Sequence, residues 1–259
     1  MIEVKGLTKA YGNFLAVKDV SFTAEKGQIL GFLGPNGAGK TTTMRIITGF
    51  MPATSGQVLV EGLDIFTQSL EARRQIGYLP ENPPVYPDMR VDNYLRFVAK
   101  LKGVSRNRLE EAIANAVSAC GLEDVRYRIS GQLSKGYRQR VGLAAAIVHD
   151  PPVLILDEPT IGLDPRQIIE IRKLIRGLAK QRTVVLSTHI LPEVSQVCDK
   201  VVIISDGRVV LEERLDEISP EVSLEDVFLK AIAKEQPSGL VAEAELEEVE
   251  AGRSGGQPG

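Results

Sequence analysis

Glycines 34, 37 and 39 with Lys40 and Thr41 stand at the spacing GxxxxGK[ST], in the run Gly34-Pro35-Asn36-Gly37-Ala38-Gly39-Lys40-Thr41-Thr42. Glycines let a backbone curl until successive N–H groups point inward, and a following helix adds its positive dipole end. Such a run is suited to cradling phosphate oxygens. Lys40 supplies a point charge for the β- and γ-phosphates, and the Thr41 hydroxyl has the size and hardness to ligate Mg2+. Asn36 and Thr42 complete this candidate nucleotide-binding set. A glycine-rich turn with an exposed lysine would carry the same letters, so context decides. An apolar run at 28–33 precedes the loop and a helical stretch at 40–49 follows it.

A second constellation is Asp157-Glu158, closing the apolar run 153–156. Ligands of open α/β sheets collect at the carboxyl ends of strands, so both acids are placed to face a bound nucleotide. Asp157 would hold Mg2+ through water, and Glu158 would polarise an attacking water as general base. Paired acids ending a strand can also be plain surface charge. A third segment, Leu133-Ser134-Lys135-Gly136-Tyr137-Arg138-Gln139, lies upstream of that strand. Ser134 is a good N-cap, and Gly136 leaves the helix start open to an anion. A second anion site makes sense where the γ-phosphate comes from another copy in a dimer. An ordinary capped helix is the alternative.

These residues need elements to hold them. Short alternating runs at 2–4, 16–17 and 20–22, then the doubly apolar 28–33, predict strands, with another at 58–60. Helical periodicity runs over 91–101 and 109–119, closed by Gly103 and Gly121. A further helix is expected over 134–149, stopped by Pro151-Pro152. Strands at 153–156, 183–187 and 201–205 alternate with a helix at 168–179. That alternation, with near-continuous apolar strands, predicts an α/β fold whose parallel sheet is covered by helices.

The chain has 259 residues, 43% hydrophobic and 25% charged, an ordinary globular composition. Its apolar runs at 153–156 and 201–204 fall far short of the ~20 residues that cross a bilayer. The chain is therefore expected not to be a membrane pore, and residues 1–4 read as a strand, not a leader. From Gln236 onward there are five Glu and one Arg, which leaves the rest of the chain at +1 of the formal −3. A nearly neutral body gives no footprint for nucleic acid, and residues 235–259 read as an acidic, disordered tail. Cys120 and Cys198 have no CxxC spacing and are expected to be reduced and structural, as in the cytosol.

From about residue 2 to 232, the order of these segments resembles the nucleotide-binding subunits of ABC transporters. Residues 133–139 look like a variant of that family's LSGGQ signature, with Lys135 and Tyr137 departing from the commonest form. The resemblance implies a P-loop NTPase fold with a RecA-like parallel-sheet core, an N-terminal antiparallel β subdomain and a helical insert. It implies one nucleotide-binding domain over 1–234, with the insert at about 83–150 docking a helix of a membrane subunit. It further implies that Tyr11 stacks on adenine and that Gly162-Leu163-Asp164 is the D-loop linking two active sites. Asp164 before Pro165 also suits a helix N-cap. His189, in Ser-Thr-His, matches the switch histidine that contacts the γ-phosphate, whereas His149 reads as structural, its positive charge favoured at a helix end. The family usually carries Gln where this chain has Glu81. A charged oxygen should bind the metal more tightly, but it cannot donate a hydrogen bond when ionised. Val85, Tyr86 and Met89, in the 81–94 hinge, suit a binding groove or a packed loop.

The combination of residues 77–81, 133–137 and 223–229 resembles exporter-type subunits of gliding-motility, multidrug and copper-enzyme maturation systems. The implied protein is an ATPase with ATP and Mg2+ as cofactors. It would close as a head-to-tail homodimer and drive a separate integral membrane permease from the cytoplasmic face of the membrane. The rival is a soluble ABC ATPase of the ribosome or DNA. Those carry two nucleotide domains or a long coiled coil, and this chain has one phosphate loop and no run of heptads.

Overall fold

The computed structural model describes residues 1–219 and 222–233. Two sheets carry the first of these stretches. Strands β1 (Ile2–Tyr11), β2 (Phe14–Ala24), β4 (Ser55–Val60) and β5 (Leu63–Asp64) make an antiparallel sheet in the order β2-β1-β4-β5. The second sheet has six strands in the order β10-β9-β3-β8-β7-β6. Within it, β3 (Ile29–Leu33), β6 (Ile76–Leu79), β7 (Val153–Asp157), β8 (Thr183–Thr188) and β9 (Lys200–Ser205) are mutually parallel. Only β10 (Arg208–Arg214) runs against its neighbour, closing a hairpin on one edge.

The parallel sheet follows from its composition. Every residue of β3, β7 and β8 is buried, as expected of strands covered on both faces. Each fully buried Leu, Ile or Val there contributes ~1.5–3 kcal/mol. Phe22 of β2 and Phe32 of β3 pack with ring centroids 5.2 Å apart. The Lys18 N–H donates to the Gly207 carbonyl at 2.7 Å, so the two sheets meet beside the β9–β10 turn.

Helices α1 (Lys40–Ile47), α2 (Ser69–Arg74), α6 (Pro165–Ala179) and α7 (Leu191–Val197) belong to the sheet connections. Between β6 and β7 the chain forms α3 (Val91–Leu101), α4 (Leu109–Ala119) and α5 (Lys135–Ile147). The stretch from Pro220 onward is a separate unit that contains α8 (Leu224–Ala233), capped by Ser223, whose hydroxyl accepts from the Asp226 N–H. The tail expected at 235–259 lies outside the described residues.

The parallel sheet and its covering helices are as the sequence predicts. Five elements of the main unit were not legible: β5, β6, α2, α7 and β10. Strand β6 is four residues long and contains Gly77. A Cβ there would strike the Ala146 carbonyl of α5, so the glycine is the condition for helix and strand to approach.

Candidate nucleotide site

Loop 34–39 turns between β3 and α1 through two glycines in the left-handed region, Gly37 at φ 82° and Gly39 at φ 101°. A Cβ on Gly39 would lie 2.5 Å from the Ala16 carbonyl, and one on Gly34 would strike the Ile204 carbonyl. The loop is therefore clamped between β9 and β2, and only glycine fits. Its curl aims the start of α1 at a cavity of about 450 Å3 lined by Asn36, Gly37, Gly39, Lys40, Thr41 and Thr42. Glu81, Glu158, Ile161, Tyr11 and Phe14 close its other walls.

Lys40 is buried, and its Nζ donates to the carbonyls of Gly34 at 2.7 Å and Pro35 at 3.1 Å. It also lies 3.5 Å from the Glu158 carboxylate. On its other side, Glu158 meets His189 Nδ1, which is 3.0 Å from both carboxylate oxygens. The Glu158 backbone is held at φ 49°, and its N–H donates to the carbonyl and hydroxyl of Ser187, both at 3.1 Å. A side chain forced into that region by surrounding bonds is aimed, at a conformational cost.

Asp157 is 1% exposed. It accepts from the Ser187 hydroxyl and lies 3.5 Å from the Thr41 hydroxyl. Burial pushes its carboxyl above the usual range, opposed by the Ser187 and Thr41 hydroxyls and reinforced by the charges of Glu158 and Glu81. A cation between Asp157 and Thr41 would relieve that burden, and these hard oxygen donors fit Mg2+. Among the described residues no group of three His, Cys, Asp or Glu forms a metal cage by itself. An ion here therefore draws on a hydroxyl and on phosphate oxygens, the usual habit of Mg2+ at nucleotides.

Tyr11 and Phe14 face each other across the β1–β2 hairpin, 47% and 65% exposed, on the cavity rim. The Tyr11 hydroxyl donates to Met51 Sδ at 3.2 Å, which steadies the ring while leaving it open for a flat ligand. Gly34, Asp157 and His189 do not line the cavity, but each touches a residue that does: Lys40, Thr41 and Glu158 respectively.

Ser134, Gly136 and Asp164 are elsewhere. They line a second concavity of about 420 Å3, with Tyr137, Arg140 and Gln167, which shares no residue with the first. Ser134 caps α5 by accepting from the Tyr137 N–H, and Asp164 caps α6 by accepting from the Gln167 N–H at 2.9 Å. The capping alternative raised for both residues is therefore present in the structure. Lys135 lies over Gly162, whose positive φ and missing Cβ make room for the ammonium.

A model of the family described as "ABC transporter" matches residues 17–161. An uncharacterized ABC transporter ATP-binding protein of Bacillus subtilis (strain 168) is 36% identical, covering 98% of this chain and 89% of its own. The chain belongs to the ABC transporter ATP-binding subunits. It is 40% identical to a bacitracin transport ATP-binding protein of Bacillus licheniformis, over 84% of this chain and 71% of that one. A dimeric ATP-binding cassette solved in a post-hydrolysis state bound to ADP and Pi superposes with a TM-score of 0.75. It is 26% identical, over 83% of this chain and 99% of that one. As an ABC ATP-binding subunit this chain is an ATPase, and the exporter-type resemblance is borne out by the kind of relative it matches. Among the described residues no helix is long and apolar enough to cross a membrane.

Other residues of this ABC subunit fall differently from the sequence reading. His149 is structural, as expected, but for another reason. It is largely buried, burial pushes its pKa down to about 4, and Nε2 lies 3.2 Å from the Ile76 carbonyl, so it is neutral. A positive charge on a helix end plays no part. In the 81–94 segment, Tyr86 is exposed and stacks edgewise on Tyr94 and Phe97, at 6.2 and 5.9 Å, whereas Val85 and Met89 are half-buried. The sequence reading missed Ser187 and Phe14. A hydroxyl inside the wholly buried β8 was the available signal for the first, and a second exposed aromatic across a tight hairpin for the second. Both cysteines are free and buried, with the Cys120 thiol pushed up to about 12.

Proposed function

We propose that this subunit binds Mg-ATP at the first cavity and completes the site with the second concavity of another copy, in a head-to-tail homodimer. The observation that carries this is the separation of the two concavities. One holds Lys40, Thr41 and Glu158, the other Ser134 and Gly136, and neither contains a residue of the other. The start of α5 opens onto the second concavity, and a helix start of this kind is suited to a phosphate brought by a partner. The dimeric solved relative with ADP and Pi supports the same reading.

In this proposal Tyr11 stacks on the adenine. Lys40 turns from the Gly34 and Pro35 carbonyls to phosphate oxygens. Thr41, Asp157 and Glu81 hold Mg2+, which supplies charge neutralisation at the β- and γ-phosphates. Glu158 accepts the proton of the attacking water as its oxygen bonds to the γ-phosphorus and the bridging oxygen leaves with ADP. His189 orients Glu158 and reaches the γ-phosphate. Asp164, from the D-loop, links the two sites.

The proposal extends to the assembly. The nucleotide-binding domain spans 1–234, and its helical insert at about 83–150 docks an integral membrane permease through the exposed aromatics around Tyr86. The subunit then sits at the cytoplasmic face of the membrane and powers export, in keeping with relatives named for bacitracin and lantibiotic transport. Capture of the Glu158→Gln chain from detergent-solubilised cells in Mg-ATP tests this. A polytopic membrane protein in the complex is the expected result. Ribosomal proteins or DNA ends without one would overturn it. Size exclusion of the same variant in ATP should show a dimer, and a monomer would remove the closure scheme.

A further inference from the structure

Glu193 of α7 is 1% exposed, and no residue of the nucleotide cavity is within its own element. No cation among the described residues lies within ion-pair distance of it. Its charge is met by two hydroxyls instead. The Thr160 hydroxyl donates to Oε1, and the Thr188 hydroxyl donates to Oε2. Both threonines are themselves buried, at 3% and 0% exposure. A carboxylate left without a cation in such a place is poor for stability, because hydroxyl donors recover only part of its lost hydration.

The two threonines share one property. Thr160 is two residues after Glu158, inside the turn closed by the Ile161 N–H donating to the Glu158 carbonyl at 3.2 Å. Thr188 immediately precedes His189, and its hydroxyl also accepts from the Ile190 N–H at 3.0 Å. One buried side chain thus holds the hydroxyl of a residue near Glu158 with one oxygen and that of the residue before His189 with the other. The adjacent register Asp157–Ser187 fixes the strands, but Glu158 lies just past the end of β7 and His189 just past the end of β8. Beyond that pair, the Glu158 N–H still reaches Ser187, and Glu193 adds a second tie, from Thr160 in one loop to Thr188 at the start of the other.

We infer that Glu193 is a positioning residue for ATP hydrolysis, a cross-brace that holds the Glu158 carboxylate against His189 Nδ1. It touches neither nucleotide nor water and acts only through Thr160 and Thr188. The inference rests on the roles given above to Glu158 and His189. It adds that their 3.0 Å contact is maintained from behind, by a group that does not itself line the cavity.

Glu193→Gln, Thr160→Val and Thr188→Val, nearly isosteric, are compared with Thr160→Ser in steady-state ATP hydrolysis by the full chain. Misplacing a catalytic group by an ångström costs on the order of 10- to 100-fold in rate. Glu193→Gln and both valine variants should lose kcat on that scale with KM for ATP unchanged, and Thr160→Ser should restore it. The chain has two histidines, so NMR offers a second readout that does not need turnover. In Glu193→Gln the His189 ring signals should shift and those of His149 should stay. Equal changes in both histidines, a proportional rise in KM, or wild-type turnover in Glu193→Gln would each overturn the brace. If Glu193→Gln does not fold, the valine variants decide on the same criteria. Glu158→Gln separates the two levels: wild-type turnover there would remove the site reading itself, whereas its loss with Glu193→Gln active removes only the brace.

Discussion

Lys40 and Glu158 face each other at 3.5 Å with their side chains 6% and 7% exposed. Each is the other's main electrostatic compensation while no phosphate is near. Two opposite charges in such a place are tolerated as a pair and not singly. In the proposed complex a triphosphate would take Lys40 away and leave Glu158 with His189 and a water.

The pair should therefore be visible in the stability of the nucleotide-free protein. Lys40→Met leaves a buried carboxylate without its cation and should cost roughly 3–5 kcal/mol in urea unfolding. Glu158→Gln in the same chain should recover part of that loss, a coupling that the double-mutant cycle reads directly. In the presence of Mg-ATP, Glu158→Gln alone should bind nucleotide and hydrolyse it about 100- to 10,000-fold more slowly.

The proposed metal site includes Glu81. Its charge adds to that of Glu158 in raising the Asp157 carboxyl, so the three acids form a field that a divalent cation relieves. Glu81→Gln removes one unit of that field. Half-maximal hydrolysis should then require more Mg2+, read by titrating the metal at saturating ATP. An unchanged Mg2+ requirement and an unchanged rate together would place Glu81 away from the ion.

His149 gives the apo protein a pH dependence with a definite sign. Its folded pKa is depressed, to about 4, from an ordinary value near 6.5. Between those values the unfolded chain binds a proton that the folded chain refuses. Stability is full above about pH 6.5 and falls as pH drops toward 4, by up to roughly 3 kcal/mol over the window. His149→Gln retains a donor for the Ile76 carbonyl and should lack this slope in unfolding curves taken at pH 7 and pH 5.

Tyr11 and Phe14 stand exposed on the rim of the cavity, at the end away from Glu158 in the proposed reading, where the adenine would lie. Tyr11→Ala should weaken ATP by about 5- to 150-fold, the range of a base–aromatic stack. Binding of inorganic tripolyphosphate should be unaffected. Loss of both in equal measure would mean that the ring serves the hairpin and not the base.

What the sequence discloses follows from how local each feature is. Loop 34–41 is legible because its glycines, lysine and threonine act within a single turn between a strand and a helix. The Glu158–His189 contact joins residues separated by a whole helix and strand, just past Asp157 and Ser187, which pair in neighbouring parallel strands. No periodicity encodes that register. Strand β6 was hidden because Gly77 interrupts its apolar run for the sake of Ala146. His149 was misread in charge because its burial and its neighbours, the Lys102 ammonium just past α3 and the Ile76 carbonyl of β6, come from elsewhere in the chain. Ser134 and Asp164, by contrast, cap their helices as the local sequence says they can.

Because the Lys40 cavity and the Ser134 concavity have no residue in common, damage to one leaves the other whole in the same polypeptide. Chains carrying Lys40→Met and chains carrying Ser134→Ala, each inactive alone, would then complement when mixed. In the mixed pair one composite site receives both lesions and the other receives none. With equal, randomly paired copies half of the dimers are mixed, so a cell expressing two defective copies of this protein would regain about a quarter of its active sites through subunit exchange.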